Sequence, residues 1–170
     1  MLRHLLCGSA LVVLVGCGGS DDPVAPSATI APAESTSSTT STTEAMTPEE
    51  EVEAAYLRSW EVYAEAVRDL DDSRLDEVYD GEALTTVQSE VTEYAANRTP
   101  VRVEVEHQYQ VQILEPGLAA VIDQYRNHSV FVDPDTGEPT EPDPNKILVE
   151  TYGLRQIEGT WKVTSVVRQG

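Results

Sequence analysis

Seven residues have side chains whose types and spacing could do chemistry. His107 and Tyr109 stand two apart in the alternating stretch VRVEVEHQYQVQIL, and Asp123 and Tyr125 stand two apart in the next such stretch. Residues two apart on a strand share a face, so the four can converge. Tyr56, Trp60 and Tyr63 lie in a helical pattern that would cover that face. Asp123 or His107 could then act as a general base, because a dry pocket moves carboxyl and imidazole groups toward working pH. The plainer alternatives stay open. His107 could be a core histidine bonded to a neighbour, or one at the sheet edge. Asp123 could pair with Arg126 or Arg155, or face solvent.

The elements that must position these residues are readable. Thr47 is a good N-cap, Pro48 suits the first helical position, and Glu50 stands three after Thr47 as a capping-box partner. Val52, Tyr56, Trp60, Tyr63, Val67 and Leu70 follow at steps of three and four, one continuous helical face. A short amphipathic turn falls around Leu75, Val78 and Tyr79 and breaks at Gly81. A second helix then carries Leu84, Val87, Val91 and Tyr94, and must end before Pro100. Beyond it the period changes to two. Val101 to Ile113 at odd positions face one way, and Arg102 to Gln112 at even positions face the other. Three further strand patterns follow, and Glu158-Gly159 joins the last two as a tight hairpin turn. The order is helices first, then antiparallel strands. This predicts an α+β fold, with N-terminal helices packed on a curved four-stranded sheet.

The N-terminus sets a different expectation. Arg3 precedes an apolar run from Leu5 to Gly16, twelve residues, or about 18 Å of helix. That is short of the roughly 20 residues a membrane span needs, and it fits a secretory signal. Leu14-Val15-Gly16-Cys17 is similar to the lipobox of bacterial lipoproteins. The resemblance implies cleavage before Cys17 and lipidation of its sulfur, so residues 1–16 are expected to be a lipoprotein signal peptide. Cys7 would be removed with them, leaving Cys17 as the one cysteine of the mature chain and ruling out an internal disulfide. Residues 17–46 have no Lys, Arg or aromatic residue and are dominated by Gly, Ser, Thr, Pro and Ala. Such a segment buries too little apolar surface to order itself and reads as a tether.

Residues 47–170 make the expected domain. Of the 30 acidic residues, 26 fall at or after Glu49, with 10 of the 11 Lys and Arg, a formal balance of −16. That excludes nucleic acid as a natural partner, since phosphate binding needs Lys and Arg.

The segments AAYLRSWEVYAEAV, DDSRLDEVYDGEAL and RQIEGTWKVTSVV, in that order, resemble the NTF2-like (SnoaL-like) superfamily, in particular its domains in actinobacterial lipoproteins. The resemblance implies a cone, with helices closing one mouth of a bent sheet over a cavity. In ketosteroid isomerase-like relatives a carboxylate in that cavity takes a proton.

No motif here is specific enough to carry such a role to a named residue. Asp133, Asp135 and Glu138 hint at a calcium loop, but Gly137 stands where a ligand belongs and the closing glutamate is absent. Three histidines and one mature cysteine give no zinc set. No metal or cofactor is expected. The favoured function is a non-catalytic binding or accessory role on the extracytoplasmic face of a cell membrane, anchored through Cys17. Its partner would be a small apolar ligand held among Tyr56, Trp60, Tyr63, His107, Tyr109, Asp123 and Tyr125, or an envelope protein or second copy on the sheet. The alternative is an isomerase- or dehydratase-like enzyme with Asp123 or His107 as base. Mass spectrometry of the mature N-terminal peptide is expected to show an acylated Cys17, and an unmodified thiol there would contradict the lipobox reading.

Overall fold

The computed structural model describes residues 45–169. The signal segment, Cys17 and all but the end of the tether lie outside the described residues. The elements are α1 (Pro48–Asp69), a 3-10 turn (Leu75–Glu77), α2 (Gly81–Asn97), β1 (Val101–Arg102), β2 (Val105–Glu106), β3 (Tyr109–Glu115), β4 (Leu118–Asn127), β5 (Val130–Phe131), β6 (Lys146–Ile157) and β7 (Thr160–Arg168). The helices lie on one face of a curved antiparallel sheet, as the order of patterns predicts.

Helix α1 starts as its sequence dictates. Thr47 Oγ1 accepts from the Glu50 amide at 3.3 Å, and the Thr47 amide donates to Glu50 Oε2 at 2.7 Å. Its buried arc is wider than the expected stripe, because Ser59, Val62 and Ala66 are also inside, while Trp60 and Tyr63 are only partly buried. The reason is the 3-10 turn. Tyr79, just beyond it, donates its hydroxyl to the Ser59 carbonyl at 3.1 Å, and a small residue is what lets that ring close in. The turn is in turn fastened to the sheet, since the Val163 amide donates to Val78 and the Asp80 amide to Val163, both at 2.9 Å. Gly81, at φ 58°, then swings the chain into α2.

The strand expected over residues 101–114 is interrupted into β1, β2 and β3, yet it keeps a single register. Val101 opposes Phe131, Val105 opposes Asn127, Tyr109 opposes Asp123 and Ile113 opposes Ala119. Each interruption is a place where a side chain replaces a ladder partner. Ser129 Oγ takes the Glu104 amide at 3.1 Å, and Asp123 Oδ1 takes the Gln108 amide at 2.9 Å. The second expected strand is likewise split into β4 and β5. The sheet order is β2-β4-β6-β7, with β3 also on β4, and β1 and β5 form a separate pair.

Alternation decides which side chains meet the helices. Ala119, Val121, Asp123 and Tyr125 on β4, Glu150, Tyr152 and Leu154 on β6, and Trp161 and Val163 on β7 are buried. Fully burying a side chain such as Leu154 contributes about 1.5–3 kcal/mol. The β6–β7 turn has Glu158 at φ 51° and Gly159 at φ 85°, the two positive angles of the expected hairpin. The ladder shifts register at Gly153, where a Cβ would meet Ser165 Oγ at 2.5 Å, and this bulge adds to the bend of the sheet.

Candidate functional site

Two buried acids face the helices side by side. Asp123 on β4 and Glu150 on β6 are register partners, and they are 0% and 6% exposed. Like charges directly opposite one another on a sheet face repel, so each needs its own set of donors.

Asp123 has three. Its Oδ2 accepts from the Tyr56 hydroxyl at 2.7 Å and lies 2.6 Å from His107 Nδ1, while Oδ1 takes the Gln108 amide. Trp60 Nε1 donates to the Tyr56 oxygen at 2.9 Å, which ties a second helix residue into the chain. The rings around it pack edge to face, with Tyr56 5.4 Å from Tyr109 and 5.0 Å from Tyr152 between centroids. Tyr109 donates its hydroxyl to Glu53 at 2.6 Å. Arg126 and Arg155 are not partners of Asp123. Arg126 is three residues along the same strand, so it points to the opposite face, where it meets Asn145 at 2.8 Å and Glu106 at 3.6 Å. Arg155 sits opposite Leu118, five residues from the level of Asp123. Both alternatives for His107 hold, since it is bonded to a neighbour with 17% of its side chain exposed and lies between β2 and β3, which pair only with β4 and form the sheet edge.

Glu150 is held as tightly by other groups. Its Oε2 accepts from the Tyr125 hydroxyl at 2.9 Å and from Tyr152 at 2.7 Å, and Oε1 meets Arg168 Nε at 2.8 Å and its second terminal nitrogen at 2.7 Å.

An open depression of about 630 Å³ lies at the start of α1, lined by Glu50, Glu53 and Leu57, and two adjoining hollows lie on the Glu150 side. A cavity of about 370 Å³ is lined by Trp60, Tyr63, Tyr125, Glu150, Tyr152 and Arg168, among others. A second of about 330 Å³ adjoins it, and Trp60, Tyr63, Glu90, Tyr125 and Arg168 line both. Three of the seven residues expected to meet in one pocket therefore do so: Trp60, Tyr63 and Tyr125. His107, Tyr109 and Asp123 line neither hollow, nor does Tyr56, whose ring packs on His107 and Tyr109 and whose hydroxyl bonds Asp123. Glu90, Glu150, Tyr152 and Arg168 were not anticipated. Glu150 gives the same signal as His107, a lone polar residue on an otherwise apolar strand face between Leu148 and Tyr152. Glu90 and Arg168 give none.

The acids and the burial act together on the tyrosines. All seven in the chain have phenols held above the ordinary value. Burial is the main cause for Tyr56, with Asp123 next, and for Tyr125 and Tyr152, with Glu150 next. For Tyr109 the hydrogen bond to Glu53 dominates and pushes the phenol up to about 12. In the acidic loop, Asp133 Oδ1 caps the amides of Asp135 and Thr136 at 3.0 and 2.8 Å, the work of a turn residue. Among the described residues no group of three His, Cys, Asp or Glu is placed to hold a metal ion.

Searches of family models and of curated proteins return no match. Solved structures do resemble the chain. The intermembrane space region of the chloroplast protein ARC6 aligns over 74% of this chain and 99% of that one, at 15% identity and a TM-score of 0.62. A domain of unknown function with a cystatin-like fold from Nostoc punctiforme aligns over 74% and 78%, at 11% identity and 0.52. An NTF2-like protein of unknown function from Shewanella baltica aligns over 74% and 97%, at 12% identity and 0.44. Identities this low show the fold alone: helices laid across a curved antiparallel sheet.

The raised phenols give a signed expectation. A group whose folded pKa lies above its unfolded value contributes stability that is present below the unfolded pKa, near 10 for tyrosine, and lost as pH rises past it. Titrated at 295 nm, the folded protein is expected to show little tyrosinate at about pH 10, where free tyrosine is half ionised. Ionisation should then arrive together with unfolding at higher pH. Ordinary titration of most phenols with the fold intact would contradict the network.

Proposed function

We propose that this chain is a lipid-anchored protein of a bacterial envelope, exposed outside the membrane, whose folded domain holds a small amphiphilic molecule without transforming it. The observation that carries this is the separation of the hollow from the groups that could do acid–base work. Small-molecule sites are concave, largely apolar and aromatic, with a few convergent polar groups. Trp60, Tyr63, Tyr125 and Tyr152, with Glu150 and Arg168, answer that description. A general base must reach the proton it takes. Asp123 has no exposed surface, its oxygens are occupied, and it lines neither cavity.

The anchor rests on Leu14-Val15-Gly16-Cys17, and the position outside the membrane follows from it. The sheet's other face offers a place for an envelope protein or a second copy. Gln108, Gln110 and Gln112 are exposed at one edge of it, with Ile147 at 51% on β6 and Val167 at 59% on β7 across β4.

One observation favours the enzymatic alternative. His107 Nδ1 lies 2.6 Å from Asp123, an arrangement that orients an imidazole as a catalytic base elsewhere. The two readings separate in one experiment. The full chain is purified from its host in detergent, its native mass recorded, and the sample denatured and extracted. Release of a bound small molecule, still unchanged after long incubation with the native protein, is the expected result. A clean unliganded mass would count against the binding reading, and steady conversion of an extracted molecule, lost in His107→Ala, would establish the enzyme.

A further inference from the structure

The two hollows are charged in a way that selects among ligands. Four carboxylates line them, Glu82, Glu90, Glu141 and Glu150, against a single cation, Arg168. Arg168 is committed, since Glu150 holds it through two contacts of 2.8 and 2.7 Å. Glu150 is filled by the same guanidinium and by two phenols. Glu90 is different. It is half-buried on α2, it lines both hollows, and it accepts the Tyr94 hydroxyl at 2.6 Å with the Tyr63 hydroxyl close by. No cation faces it.

Aromatic rings surround that charge. Trp60, Tyr63 and Tyr125 line both hollows, and Tyr94 and Phe131 line the second. Burial first, then the nearby Glu90 charge, keeps the Tyr63 phenol protonated well above its ordinary range, so the ring meets a ligand as a neutral π surface. Neutral aromatic faces attract cations through their quadrupole, by about 0.5–1 kcal/mol when exposed and about 2 or more when desolvated.

We infer that the hollow takes an organic cation, a protonated amine or quaternary ammonium with an apolar body, whose charge sits against Glu90 among the rings of Trp60, Tyr63 and Tyr94. This rests on the binding reading above and names its ligand class. An anionic ligand would meet Glu90 with Arg168 already spoken for. A neutral one would dehydrate Glu90 and leave its charge unpaired, which is costly. A hard metal ion wants six or more oxygen ligands, and the described residues provide no cluster of three.

The test uses the full chain in detergent and three probes of one size: benzyltrimethylammonium, benzyl alcohol and phenylacetate, titrated calorimetrically. The ammonium is expected to bind about tenfold more tightly than the other two. Glu90→Gln should weaken it about fivefold or more while benzyl alcohol binds as tightly as before or more so, since no charge is then stranded, and Glu90→Asp, which keeps the charge, should retain most of the affinity. Glu138→Gln, at an exposed residue that lines neither hollow, should change it by less than about twofold. Equal binding of alcohol and ammonium, or an unaltered Glu90→Gln, would overturn the cation inference while the binding reading stood. An effect of Glu138→Gln as large as that of Glu90→Gln would assign the preference to general acidity and overturn the role of Glu90. Failure of all three probes to bind would overturn both.

Discussion

The placement of Asp123 directly across from Glu150 on the inner sheet face is the constraint on which the rest of the arrangement depends. Two acids in adjacent strands, both buried, cannot share donors and cannot stand unpaired, since an uncompensated buried charge costs several kcal/mol. The structure resolves this by giving each its own enclosure. Tyr56 from α1, His107 from the interrupted strand and the Gln108 amide surround Asp123. Tyr125 and Tyr152 from the sheet and Arg168 from β7 surround Glu150. Among the described residues no buried side-chain nitrogen or oxygen lacks a partner.

The two enclosures have different consequences. The Asp123 set spans three elements, so it docks α1, bridges the break between β2 and β3, and positions Trp60 through Tyr56. Its polar groups are consumed by the fold. In the Glu150 set, Tyr125 and Tyr152 bond the acid through their hydroxyls and also line the first hollow. Trp60 is the hinge between them, bonded to the first network and forming a wall of the second. The hollow is therefore an aromatic chamber, and Glu90, which lines both of its parts without an ion pair among the described residues, comes from α2.

Much of this was legible in the sequence where the signal is local. The Thr47–Glu50 cap, the Glu158-Gly159 turn and the fourteen-residue alternation after Pro100 depend on near neighbours, and each appears where its residues place it. The interruptions of that alternation were not legible, because Ser129 and Asp123 cause them from another strand. The same limit governs the site. Spacing brought His107, Tyr109, Asp123 and Tyr125 to one face, but the direction in which the hollow opens depends on how α1 sits. That in turn is set by Ser59, a small residue outside the hydrophobic stripe. Arg168 closes the Glu150 enclosure from the end of the last strand, where nothing in its neighbourhood marks it.

Asp123 serves the fold rather than a reaction. Urea unfolding of Asp123→Asn tests this most directly, because an amide places a donor where the Tyr56 hydroxyl and His107 already direct theirs. The account predicts a loss of about 3 kcal/mol or more, with the slope of the transition unchanged. Working acids in active sites are instead held at a cost to stability. An Asp123→Asn protein as stable as the parent, or more so, would contradict the account and return Asp123 to the catalytic candidates.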